Sequence, residues 1–137
     1  MYKIILDSCG ELTEEMKADG RFTNVPLTLE IDGEQIVDDE TFDQASFIQK
    51  VKASPNAPKS ACPSPNSYMM EMDCDADNVY VVTLSAELSG SYNSACLGKN
   101  LFEEDDTSRT SISSIPSQHP LARHLSHLRF RSARRQA

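Results

Sequence analysis

The sequence predicts an α/β domain built on a parallel sheet, with an appended β-hairpin. Three observations carry this. The apolar, β-branched run Val79-Tyr80-Val81-Val82-Thr83-Leu84 reads as a buried strand, and it passes through a Ser-rich turn with one glycine into a helical pattern. Strand-like and helix-like segments alternate along the first 106 residues, the order expected of helices packed on a parallel sheet. The chain then changes character. All 21 acidic residues lie before residue 107, whereas residues 107–137 hold six arginines, all three histidines and no Asp, Glu or Lys. The net charge of −8 thus divides into about −14 for the body and +6 for the tail, which two parts of one cooperative unit rarely show.

Element by element, Lys3 to Leu6 reads as a short buried strand ending in the turn Asp7-Ser8-Cys9-Gly10. Thr13 suits an N-cap, with Glu14 and Glu15 in the first turn of a short helix that stops near Gly20. Val25 to Ile31 alternates as one strand, with Pro26 at its beginning or edge, and Asp32-Gly33 turns it into a hairpin with Gln35 to Val37. Thr41-Phe42-Asp43-Gln44 has the form of a capping box. It opens a helix whose buried stripe is Phe42, Ala45, Ile48 and Val51, ended by Ser54-Pro55. Pro55 to Pro65 reads as a proline-rich loop, and Ser64-Pro65 begins a helix carrying Tyr68 and Met72. The strand at Val79 follows, then a helix from about Ser91 to Glu104.

Composition removes several function classes. The acidic body argues against nucleic acid or an anionic membrane as partner. No segment approaches the roughly 20 apolar residues of a membrane span, and the acid at Asp7 comes too early for a secretory signal. Cys9, Cys62, Cys74 and Cys96 show no CxxC or metal-finger spacing, so reduced thiols in a cytoplasmic protein are the expectation. A zinc site is not expected, because the body holds no histidine.

The junction after Leu84 is the strongest candidate site. In α/β folds, ligands sit outside the carboxyl ends of parallel strands. A helix start there offers backbone N–H groups and the positive end of a dipole, to which Ser85, Ser89 and Ser91 add hydroxyl donors. This suits a small anion such as a carboxylate. A capped helix following a strand has the same pattern, and the residues alone leave both readings open.

Four separated motifs give the chain a resemblance to the DegV family of bacterial fatty-acid-binding proteins. They are Ile4-Ile5-Leu6-Asp7-Ser8-Cys9, then Val25-Pro26-Leu27 with a hairpin and Asp38, then Lys59-Ser60-Ala61-Cys62-Pro63-Ser64-Pro65, then Thr83-Leu84-Ser85-Ala86-Glu87-Leu88-Ser89-Gly90-Ser91-Tyr92-Asn93-Ser94-Ala95. The resemblance covers residues 2–106. It implies an incomplete parallel-sheet sandwich with helices on both faces and an appended β-hairpin, forming a truncated N-terminal domain over residues 1–106. It further implies a long-chain fatty acid as ligand, with the carboxylate held by the hydroxyls of Ser60 and Ser89, helped by the backbone of Gly90; Ser85 is a further candidate contact from its place in the turn, where a purely turn-making role is equally open. No cofactor or metal is implied. In studied members the acyl carboxylate is presented to a separate fatty acid kinase, so the DegV-like subunit is a carrier and not an enzyme. Where Ala61 and Cys62 stand, the family more often has Ser-Gln.

Residues 107–137 are expected to form a disordered tail. Past residue 106 the family has a strand, a Ser-rich turn and an amphipathic helix, and this chain has no such pattern. Ser111 to Ala137 can nevertheless be written in permitted codons whose neighbouring frame encodes His-Ile-Phe-Asn-Ser-Lys-Ser-Ala-Ser-Val-Gly-Glu-Thr-Leu-Ile-Ala-Leu-Glu-Ile. That is the expected strand, turn and helix. A one-base loss or two-base gain near codons 105–110 would make the tail an accidental, out-of-frame peptide, and the carrier a truncated and impaired one. The DNA sequence of the locus is expected to contain that embedded frame; a tail encoded without it ends the reading. The rival is a genuine basic arm in which Arg129, Arg131, Arg134 and Arg135 contact phosphates.

Two other functions compete with a fatty-acid carrier. Ser89 could serve as a hydrolase nucleophile, although the Gly-x-Ser-x-Gly elbow and a histidine base are missing from the body. The acidic face could make the domain a small interaction module without a lipid ligand.

Overall fold

The computed structural model describes residues 1–105 and the strand 111–116. Two sheets organise them. The larger has four parallel strands: β1 (Tyr2–Asp7), β2 (Phe22–Val25), β6 (Asn78–Thr83) and β7 (Ser111–Pro116), in the order β2-β1-β6-β7. The smaller is antiparallel, with β3 (Thr28–Ile31) between β4 (Glu34–Val37) and β5 (Lys59–Ala61). Four helices join them: α1 (Glu14–Asp19), α2 (Gln44–Ala53), α3 (Pro65–Met72) and α4 (Ser91–Asp105).

The core lies between the parallel sheet and the α3–α4 pair. Ile5 of β1, Val25 of β2, and Val79 and Val81 of β6 meet Tyr68 and Met72 of α3, Ala95 of α4, and Ala76. The period of two along β6 is plain, with Val79, Val81 and Thr83 fully buried and Tyr80 and Val82 only half-buried. The two helices approach closely because Gly98 faces α3: a Cβ there would lie 2.5 Å from the Pro65 carbonyl oxygen. Lys3 clamps β1 to the end of α3, donating from Nζ to the Glu71 carboxylate at 2.9 Å and to its carbonyl at 2.7 Å.

Local chemistry accounts for most boundaries. Thr13 caps α1 by accepting from the Met16 N–H, and Gly20 ends it in the left-handed region at φ 71°. Asp32 and Gly33, at φ 51° and 83°, form the hairpin turn between β3 and β4. Ser64 caps α3, with Pro65 in its first turn.

Four expectations are corrected. Val25 to Ile31 is not one strand. It divides at Pro26, which has no N–H to donate to a ladder, so β2 pairs with β1 in the parallel sheet and β3 joins the other sheet. The α2 cap is Asp43, which accepts from the Ser46 N–H, whereas Thr41 bonds to Asp39. The stripe expected on α2 is incompletely covered, with Phe42 and Val51 half-buried and Ala45 and Ile48 exposed. The proline-rich loop contains β5, which pairs with β3 so that Ser60 stands opposite Leu29.

Beyond α4, Ser111–Pro116 runs parallel to β6, with Val81 opposite Ser114. The bare edge of β6 offers a row of backbone donors and acceptors that an extended segment of many sequences can satisfy. The rest of the tail lies outside the described residues.

Candidate functional site

Because β1 and β6 are parallel neighbours, with Leu6 opposite Val82, their carboxyl ends emerge side by side and the following loops converge. Three hydrogen bonds fix that convergence. The Leu84 N–H donates to Asp7 Oδ2 at 2.7 Å, joining the two loops. The Leu27 N–H donates to Ser8 Oγ at 3.0 Å, drawing the start of the smaller sheet to the same place. Ser94 Oγ, in the first turns of α4, donates to the Pro63 carbonyl at 2.5 Å and holds the exit of β5 against that helix.

The result is a cavity of about 560 Å³ lined by residues from all these segments. Ser60 of β5 and Ser89 and Gly90 of the loop between β6 and α4 line it together, so the two serines singled out in sequence share one cavity although they lie 29 positions apart. Leu27, Leu29, Leu84 and Leu88 give it apolar walls, and Leu88 is 77 % exposed at its lip. A Cβ at Gly90 would lie 3.1 Å from Cys62 Sγ, so the glycine lets these two lining segments approach closely.

Ser85 takes a different place. It is buried and does not line the cavity; its Oγ accepts from the Glu87 N–H at 3.3 Å, and its carbonyl accepts from the Leu88 and Ser89 N–H groups. Its position is that of a turn-forming residue. Ser89 does similar work at the helix start, where its Oγ accepts from the Ser91 N–H at 3.2 Å and lies 3.0 Å from Ser91 Oγ.

Behind the hydroxyls lies a buried polar group. Burial raises the Asp7 carboxyl above its usual value, opposed by hydrogen bonds from the Leu84 N–H, the Ser91 hydroxyl and the Cys9 N–H, which favour its charged form. Burial also raises the Cys9 thiol, and the carboxylates of Asp7 and Asp38 add to the effect. Cys9 is thereby held as a poorly nucleophilic thiol at the cavity wall. The arrangement can hold an anionic head between two hydroxyls and cover an attached alkyl chain with leucines.

Sequence reasoning did not single out Cys9, Leu27, Leu29, Asp38, Leu84 or Leu88 as lining residues. Two signals for them exist. Cys9 follows the strand beside β6, and Leu27 and Leu29 stand two residues apart, the spacing that puts strand side chains on one face.

The described residues include no helix long and apolar enough to cross a membrane, and no cluster of three or more His, Cys, Asp or Glu suited to a metal ion.

Comparison with known proteins gives a consistent set. The model of the DegV family of uncharacterised proteins matches residues 1–118, beyond residue 106 where the sequence resemblance was placed. A DegV domain-containing protein of Streptococcus gordonii is 39 % identical over 106 residues, which cover 76 % of this chain and 37 % of that protein. Among solved structures, a DegV family protein of Ruminococcus gnavus with vaccenic acid is 52 % identical, with a TM-score of 0.81. The fatty acid kinase (Fak) B3 protein of Streptococcus pneumoniae, loaded with linoleic acid, is 36 % identical with a TM-score of 0.72. Each of these two matches covers 85 % of this chain and 41 % of the other, so the chain spans well under half the length of the relatives it matches.

Proposed function

This chain belongs to the DegV family, and from that premise we propose that it binds a long-chain fatty acid, with the carboxylate held by Ser60 and Ser89 beside the Gly90 backbone. The observation that carries the reading is that Ser60 of β5 and Ser89 of the β6–α4 loop line one cavity together with four leucines. A carboxylate accepts hydrogen bonds, each hydroxyl can donate one, and bonds to a charged partner are the stronger kind. The relatives loaded with vaccenic and linoleic acid support the same ligand class.

The chain acts in this reading as a carrier and not as an enzyme. A fatty acid kinase is its natural partner, by analogy with the Fak B3 protein. Four free cysteines suit a reducing, cytoplasmic setting. Affinity is expected to be low, because Leu88 stands largely in solvent and each methylene left uncovered forgoes about 0.8 kcal/mol. We propose further that a frame change after about residue 106 leaves the carrier in an impaired form, although the family match runs on to residue 118.

Displacement of a fluorescent fatty acid tests the reading. Oleate is expected to compete saturably, whereas methyl oleate, of the same chain length but without the anionic head, competes at least tenfold more weakly. Equal competition by acid and ester would show that the hydroxyls do not read a carboxylate.

A further inference from the structure

Among the described residues that line the cavity, Asp38 is the one Asp, Glu, Lys or Arg. Its sign is the same as that of a fatty carboxylate. No lysine or arginine among those lining residues offsets it, and Lys59, the neighbour of Ser60, is not one of them. The Asp38 N–H donates to the Leu27 carbonyl at 2.9 Å, which anchors the residue beside the leucine wall. Asp38 is half-buried, and none of the ion pairs among the described residues includes its carboxylate. Asp7, by contrast, lies buried behind the wall, with its carboxylate accepting the Leu84 N–H.

The two serines do not discriminate by charge. A hydroxyl both donates and accepts, so Ser60 and Ser89 can serve an anionic, a neutral or a cationic head. Asp38 supplies the missing discrimination, since its field repels an anion in the cavity and attracts a cation. A compact cavity of about 560 Å³ is roughly 10 Å across, and at that separation a unit charge changes the affinity for a second one by about fourfold. The effect grows with head charge. It is squared for a dianion, absent for an alcohol and reversed for an ammonium.

We propose that Asp38 is a specificity-determining residue that ranks ligands by head-group charge, favouring a fatty carboxylate over an alkyl phosphate and admitting long-chain amines as a second ligand class. The proposal rests on the fatty-acid reading of the cavity and deepens it. The leucines cover the alkyl chain whatever its head, and Asp38 sets which head is tolerated.

Four ligands of equal chain length test this on the full chain: dodecyl phosphate, dodecanoate, dodecanol and dodecylammonium. At pH 8 their heads carry about −2, −1, 0 and +1 charges. Each Kd is read by displacement of a fluorescent fatty acid at low ionic strength, corrected for the affinity of the probe itself. Asp38→Asn is expected to tighten the phosphate about fifteenfold and the carboxylate about fourfold. It should leave the alcohol within about twofold and weaken the ammonium about fourfold. Asp38→Glu, which keeps the charge, is expected to keep the wild-type order. Unchanged affinities in Asp38→Asn, or one common change for all four heads, would overturn the charge ranking and leave the hydroxyl cradle intact. Wild-type protein that binds dodecanol but not dodecanoate would overturn the carboxylate reading instead. Binding of none of the four would overturn both.

Discussion

Replacing Ser60 and Ser89 together by alanine is expected to lower oleate affinity at least about a hundredfold, measured by displacement of a fluorescent fatty acid. Each hydroxyl would supply one hydrogen bond to a charged group, and such bonds contribute about 1.5–3 kcal/mol apiece. The fold should survive. Ser60 is exposed on β5, and its loss leaves the pairing of that strand with β3 to the backbone. Ser89 also accepts the Ser91 N–H, and losing such a cap costs about 1 kcal/mol. A melting transition close to wild type, combined with the loss of affinity, would separate recognition from stability. Wild-type affinity in the double variant would remove both serines from the ligand site.

The second large effect concerns the packing that holds the site in place. Gly98→Ala poses two opposed effects. Alanine is favoured over glycine inside a helix by about 1 kcal/mol. Its Cβ, however, would lie 2.5 Å from the Pro65 carbonyl oxygen, 3.0 Å from Tyr68 Cβ and 3.3 Å from the Met69 N. Two of those atoms are backbone, so relief requires α3 and α4 to move apart. Overpacking of this kind costs about 1–3 kcal/mol and occasionally more, and here the obstacle is not a side chain that can rotate aside. Packing should win, with Tm falling by roughly 10 °C for a domain of this size. A raised Tm would mean that the helices separate freely and that the close approach carries little energy.

The parts of the fold that were legible in sequence are those whose chemistry is local. Thr13, Gly20, Asp32-Gly33 and Ser64-Pro65 each fix their own turn or cap, and each sits where its side chain or backbone demands. Tyr68 and Met72, read as members of one helix, are fully buried. What stayed hidden depends on distant partners. Phe22 to Val25 has a strand pattern too short to stand out, and it becomes β2 only because β1 offers it a parallel edge. Lys59 to Ala61 is exposed and lies among prolines, so pairing with β3 and not its own pattern makes it a strand. β7 owes its place to the open edge of β6 in the same way. Proximity in sequence also misled at Thr41, where Asp43 was the better cap for α2.

The site divides along similar lines. The junction after β6 could be read from residue types alone as a place for an anion, because serines and a glycine stood between an apolar strand and a helix. Ser60 had no such signal. Only the resemblance to the DegV family linked it to Ser89, and in the structure the pairing of β5 with β3 and the bond from Ser94 to Pro63 bring the two together. Ser85, chemically equal to Ser89 in sequence, turned inward to bond the backbone of its own loop. The unpaired Tyr68 hydroxyl had no signal in sequence at all, since an apolar helix face gives no warning of one unmatched polar atom.

A crystal structure of this chain grown with oleate is the most direct measurement. The account predicts the carboxylate within hydrogen-bond distance, about 2.6–3.0 Å, of both Ser60 Oγ and Ser89 Oγ, with the acyl chain running along Leu27, Leu29, Leu84 and Leu88. A carboxylate that touches neither hydroxyl, or an acyl chain lodged elsewhere on the molecule, would contradict it.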